Sequence, residues 1–170
     1  MIAKPGHIPI RGRRAGLITG LILGLILGLS AGVAAQDISL AKFIDGFERD
    51  TGGRVYEIER ERKDGRIVYD IESVRGDRIM ETVVDAATGQ VLSEEAENTA
   101  LWTPISADKK RALMDSPATL GRLMLADSRL SGKVAVRDIA ARLGKGGLLF
   151  VVTTENDGRI ILTAGGGEAP

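Results

Sequence analysis

Cysteine is absent from the 170-residue chain, and histidine occurs once, at His7. Without cysteine there is no disulfide, no thiol nucleophile and no thiolate metal site. His7 lies in a basic N-terminal stretch. If that stretch is removed, the chain loses the commonest general base and the commonest metal ligand as well. Acids are missing from residues 1–35, which hold Lys4, Arg11, Arg13 and Arg14. The overall balance of 23 basic and 23 acidic residues therefore hides a remainder of 19 bases against 23 acids. A net-negative remainder is no electrostatic footprint for nucleic acid.

The chemistry that remains is thin. Ser106 and Lys109 could form a Ser–Lys dyad, but a serine three residues before a lysine at a helix start reads first as an N-cap. Glu94 and Glu95 are adjacent carboxylates in a polar stretch with no acid–base partner. Asp64, Asp85 and Asp157 each sit in a turn, where aspartate bonds nearby backbone. No D-x-D-x-D-G calcium loop is present. Gly165-Gly166-Gly167 lacks the Lys-Ser/Thr and the helix of a phosphate loop. The expectation is a chain with no catalytic residues, no cofactor and no metal.

The N-terminus reads as an address. Residues 1–14 are basic, residues 15–35 are uncharged, and Val33-Ala34-Ala35 places small residues before Gln36-Asp37. That is the three-part plan of a secretory signal. The apolar run is also near the ~20 residues that span a bilayer. Cleavage and retention as an inner-membrane anchor both stand. Either way the positive flank keeps the N-terminus cytoplasmic and the rest is exported, so the expected location is periplasmic. Arg13-Arg14 is a weak twin-arginine signal. Gly16, Gly20, Gly24, Gly28 and Gly32 recur every fourth residue and share one drifting helix face. Such a face lets two helices approach closely in lipid, a route to a homo-oligomer. Signal cores are also commonly built from Leu, Ala and Gly.

Residues 39–51 carry Leu40, Phe43, Ile44 and Phe47 at helical spacing. Asp37 or Ser39 can cap this helix, Gly52-Gly53 ends it, and Lys42, Asp45, Glu48 and Arg49 fall on its other face. Three strand-like runs follow over residues 54–61, 66–72 and 78–84. Lys63-Asp64-Gly65 separates the first two, and Asp-Gly between alternating runs is a strong hairpin signal. Arg75-Gly76-Asp77 separates the next two. Ile67, Tyr69 and Ile71 alternate with Val68, Asp70 and Glu72, so one sheet face takes the helix and the other faces solvent or a partner. Glu57, Glu59 and Glu61 line one face, which reads first as a solvated surface.

A helix, a three-stranded meander and a closing D-x-x-T-G turn at Asp85, Thr88 and Gly89 resemble the PepSY domain family over residues 38–92. Members of that family occur in bacterial envelopes as regulatory or inhibitory modules and in protease propeptides. The resemblance implies a non-catalytic module acting on a protein partner, such as a peptidase or sensor of the envelope. The alternative is a membrane-anchored structural component that oligomerises through its glycine-spaced helix.

A weaker second copy follows, offset by about 79–82 residues. Gly132-Lys133-Val134, residues 148–152 and residues 156–160 echo the three strands. Ser116 and Pro117 suit a helix start, Leu120, Leu123, Met124 and Leu130 its apolar face, and Gly132 its stop. No D-x-x-T-G closes this copy, and residues 136–143 also have helix-forming composition. The expected organisation is a signal or anchor at 1–35, a PepSY-like domain at 36–97, a linker with a short helix at 98–116 and a degenerate copy at 117–170. The expected fold class is α+β: a helix packed on a three-stranded antiparallel meander, in tandem, after an N-terminal apolar helix. Residues 93–98 read as polar linker. Trp102, the only tryptophan, reads as a packing anchor before a partner-binding aromatic. Residues 37–97 carry a net −7 and residues 98–170 a net +3. Docking of the halves and the absence of any contact both remain open.

Overall fold

A computed structural model describes residues 38–97 and 105–165. The glycine series at 16–32 and Trp102 lie outside the described residues. Among those described, no helix is long and apolar enough to cross a membrane.

The first helix, α1 (Leu40–Thr51), forms where the apolar spacing predicts it. Leu40, Ala41, Ile44 and Phe47 are buried, and Gly52 stops the helix in the left-handed region at φ 66°. A Cβ is disfavoured there, so glycine suits the position. Three strands follow, β1 (Arg54–Lys63), β2 (Arg66–Arg75) and β3 (Arg78–Asp85). Their turns match their residues. Asp64 and Gly65 both have positive φ, the pattern of a type I′ turn, while in the next turn the positive φ falls on Gly76.

The expectation of separate three-stranded sheets is corrected. All strands join one antiparallel sheet of seven, in the order β4-β3-β2-β1-β5-β6-β7. Positions 93–96 of the stretch read as polar linker belong to β4 (Val91–Ala96), which pairs with β3. Every residue of β4 is exposed. It therefore shows no apolar alternation, and its pairing cannot be read from the sequence. Beyond it, α2 (Ala107–Met114) is capped by the Ser106 hydroxyl, which accepts from the Lys109 amide at 3.3 Å.

In the second half, α3 (Leu120–Ala126) starts later and stops earlier than its sequence suggests. Thr119 is the cap rather than Ser116, whose hydroxyl instead donates to the Ala118 carbonyl at 2.7 Å. Asp127, not Gly132, ends the helix, and its carbonyl then accepts from the amides of Leu130 and Ser131. Residues 136–143 are strand, not helix: β5 (Val136–Gly144) pairs with both β1 and β6. Tertiary pairing overrides the propensity of its Ala and Arg residues. The chain closes with β6 (Gly147–Thr154) and β7 (Arg159–Thr163).

The seam between the halves is the β1–β5 pair, centred on Ile58 opposite Ile139. Both side chains are fully buried. Each contributes about 1.5–3 kcal/mol by leaving water. From this seam one meander runs outward through β2, β3 and β4, and the other through β6 and β7. Helices α1 and α3 pack on each other. At their crossing a Cβ on Gly121 would lie 2.3 Å from the Asp45 amide nitrogen, so only glycine fits. One apolar core holds residues of both halves, from Ile44 and Tyr69 to Met124 and Phe150. Contact between the halves is thus chiefly apolar and backbone-mediated. The Arg60–Glu155 pair, at 3.0 Å, is an ion pair between them.

Glu48 departs from its expected place. The helical wheel puts it on the solvent face of α1, yet it is 4% exposed. Its carboxylate accepts from the amide of Val55 at 3.1 Å and of Gly121 at 2.8 Å. A buried charge is tolerated because backbone donors meet it.

Candidate partner-binding surface

The D-x-x-T-G turn builds the outer part of the sheet. Asp85 Oδ1 accepts from the amides of Ala87 and Thr88 and from the Thr88 hydroxyl, all within 3.0 Å. These donors, led by the Thr88 hydroxyl, hold the Asp85 carboxyl below its usual range. The Gly89 amide donates to the Asp85 carbonyl at 2.8 Å, and Gly89 takes φ 74°. The Asp85 amide donates in turn to the Gln90 carbonyl, which reverses the chain into β4. Ala86 ties the turn inward, to the Ile67 carbonyl and the Ile38 amide. Asp85, Thr88 and Gly89 come together in one turn, in an architectural role: they aim β4.

A second device holds β4 in place. Arg75 makes two bonds to Glu94, at 2.9 and 2.6 Å, and its guanidinium sits 5.1 Å from the ring centroid of Phe47 on α1. The Thr82 hydroxyl also reaches Glu94, at 3.4 Å. Arg75 keeps the Glu94 carboxyl below its ordinary range.

The opposite face of the same strands is acidic. Register places Glu57 opposite Glu72, Glu72 opposite Glu81, and Glu81 opposite Glu95. This is one row of four glutamates across four neighbouring strands. In the next row of the same face, Asp70, Glu59 and Asp138 are successive neighbours. Like charges directly opposite one another are unfavourable. Burial, with Glu57 nearby, raises the Glu72 carboxyl, and the charge of Asp70 raises Glu81. Burial and four surrounding carboxylates raise Glu59. Lys63 answers part of this charge, 2.7 Å from Asp70 and 3.5 Å from Glu61.

This face is covered at one end, where Val74 and Ile79 are buried. Near that end Lys110 donates to the Asp77 carbonyl at 3.0 Å, and Lys109 lies 5.9 Å from the Tyr56 ring centroid. The other end is a groove of about 600 Å³. Val68, Val83 and Leu92 line it with Lys63 and Arg66 and with Glu81 and Glu95. Leu92 and its neighbour Val91 are among the large apolar side chains most exposed, at 42% and 45%.

The remaining candidates stay apart. Ser106 is engaged as the α2 cap, and Asp64 and Asp157 hold left-handed turn positions. Glu94 and Glu95 point to opposite faces of β4, as strand alternation requires. Among the described residues no three acidic, histidine or cysteine side chains gather as metal ligands. The glutamate row was missed because it depends on register between strands. Its one legible part was the alternation of Glu57, Glu59 and Glu61.

The PepSY family, described as the peptidase propeptide and YPEB domain, matches residues 37–95. That match contains α1, β1, β2, β3, the D-x-x-T-G turn and nearly all of β4. No curated protein gives a significant match to the chain. Among solved structures, a candidate lipoprotein from Clostridium difficile 630 aligns over 78% of this chain and 95% of its own, at 15% identity and a TM-score of 0.40.

Proposed function

We propose, from the PepSY unit at residues 37–95, that this chain is a non-catalytic binding module of the bacterial envelope that regulates a protein partner by contact. The observation that carries the reading is the acidic sheet face ending at a fully exposed outer strand. The acidic groups run in a row across four strands and end at an open groove beside the edge strand, an arrangement that suits docking of a partner segment. The partner class we infer is an envelope peptidase or sensor restrained by docking. The α3–β5–β6–β7 order, matching α1–β1–β2–β3, supports reading the second half as a divergent copy that has lost the closing turn.

The basic segment, the uncharged run and Val33-Ala34-Ala35 support export of the remainder. Retention of the run would instead anchor the protein, and the glycine spacing favours self-association there. The mass of the mature protein separates the two: an N-terminus at Gln36 removes the anchor. Capture with the full chain from envelope extract tests the function itself. One protein recovered at near-equal stoichiometry is expected; recovery of none contradicts the proposal.

A further inference from the structure

Strand β4 differs from β7, the strand at the opposite edge. Ile160 and Leu162 of β7 are buried, whereas all six residues of β4 are exposed. The inner side of β4 bonds to β3, and among the described residues no strand pairs with its outer side. An open edge of this kind is a template for another strand.

Charge on the two faces of β4 is unequally met. Glu94 is bound by Arg75 at 2.6 Å. Glu95, on the other face, has no ion pair among the described residues and ends the row that begins at Glu57. A strand added beyond β4 would supply the fifth position of that row. A cation there would lie about 5 Å from Glu95 and offset the repulsion at that end of the row. Two positions along the same face, the added strand passes Ser93 beside Leu92. An apolar side chain can there reach the groove over Val68 and Val83.

We propose that the outer edge of β4 takes up an extended peptide segment of a partner protein, with a basic residue opposite Glu95 and an apolar residue two positions away at the Leu92 groove. This rests on the contact reading above and names its partner's chemistry. A second copy of β4 fits badly, because pairing would crowd Glu94 and Glu95 of both strands into one short ribbon.

The test uses the full chain and two end-blocked peptides, one alternating lysine with valine and one alternating glutamate with valine. Binding is read by fluorescence anisotropy, and backbone protection by hydrogen exchange. The lysine peptide is expected to bind, to weaken as salt rises, and to protect residues 91–96 but not 159–163. Glu95→Lys should weaken it about tenfold, a loss of about 1.4 kcal/mol, and turn the preference toward the glutamate peptide. Leu92→Ser, which keeps the charge, should weaken both. The proposal is overturned by no binding of the lysine peptide, by equal binding of both, by protection at 159–163, or by a dimer formed through β4. An envelope partner captured equally well by Glu95→Lys would also overturn it, while leaving the contact function standing.

Discussion

Glu48 Oε2 accepts a hydrogen bond of 2.8 Å from the Gly121 amide, across 73 residues of sequence. The same carboxylate takes the Val55 amide through its other oxygen. One buried side chain thus joins α1, the start of β1 and the first turn of α3. Burial raises its pKa against these donors.

Glu48→Ala strands two backbone amides away from water. An unmet buried donor costs about 1–3 kcal/mol, so the expected loss is about 2–4 kcal/mol in urea unfolding. A loss under about 0.5 kcal/mol, the scale of an ordinary surface change, would show that water replaces the carboxylate freely.

Gly121→Ala tests the helix crossing. The new methyl would stand 2.3 Å from the Asp45 nitrogen and 2.4 Å from its Cα, both backbone atoms that cannot swing aside. Overpacking of this kind costs about 1–3 kcal/mol. Gly132→Ala is the control: nothing lies within 4 Å of its Cβ position, and its stability should change by less than about 0.5 kcal/mol. Equal effects at the two sites would mean that α1 and α3 do not cross so closely.

Gly89→Ala tests the closing turn. A Cβ there meets Ile38 and Phe43 at an ordinary 3.5 Å, so the effect comes from the left-handed φ of 74°. The expected loss is about 1 kcal/mol, accompanied by faster amide exchange in residues 91–96. Unchanged exchange would separate the turn from the placement of β4.

The acidic face sets a pH dependence. Glu59, Glu72 and Glu81 on this face, with Glu97 just beyond β4, have folded pKa values raised above the ordinary 4.5, as does Glu48 between α1 and α3. Such groups hold a proton more tightly when folded. Their contribution is fully present below 4.5 and is lost as pH rises through the folded values. Asp85, Glu94 and Asp127 are shifted down, and their contribution is lost as pH falls through their folded values. Thermal stability should therefore be higher at a mildly acidic pH than at neutral pH, and fall again in stronger acid as Asp85, Glu94 and Asp127 are protonated. A melting temperature that is flat or lower at the mildly acidic value would contradict the crowding of carboxylates on this face.

What could be read from the residues follows from the range of the forces involved. Leu40, Ile44 and Phe47 announce α1, and Asp64-Gly65 its first hairpin, because both signals are local. Asp85, Thr88 and Gly89 are legible because their bonds close within five residues. The Ile58–Ile139 seam is not, since nothing local to either strand specifies a partner so far along the chain. Strand β4 is hidden for the opposite reason: an edge strand with both faces exposed carries no apolar period. Glu48 looks like a solvent-face residue until α3 arrives to cover it. The glutamate row becomes visible only when four registers are known together.

The claim that joins these parts is that the chain works by contact at the β4 edge. A photo-crosslinking residue at Ser93, in the chain expressed in its own cells, reads this directly. Lys145, exposed in the turn between β5 and β6, serves as the comparison position. The account predicts one defined adduct with an envelope protein from Ser93 and none from Lys145. No adduct from Ser93, or the same adduct from both positions, would contradict it.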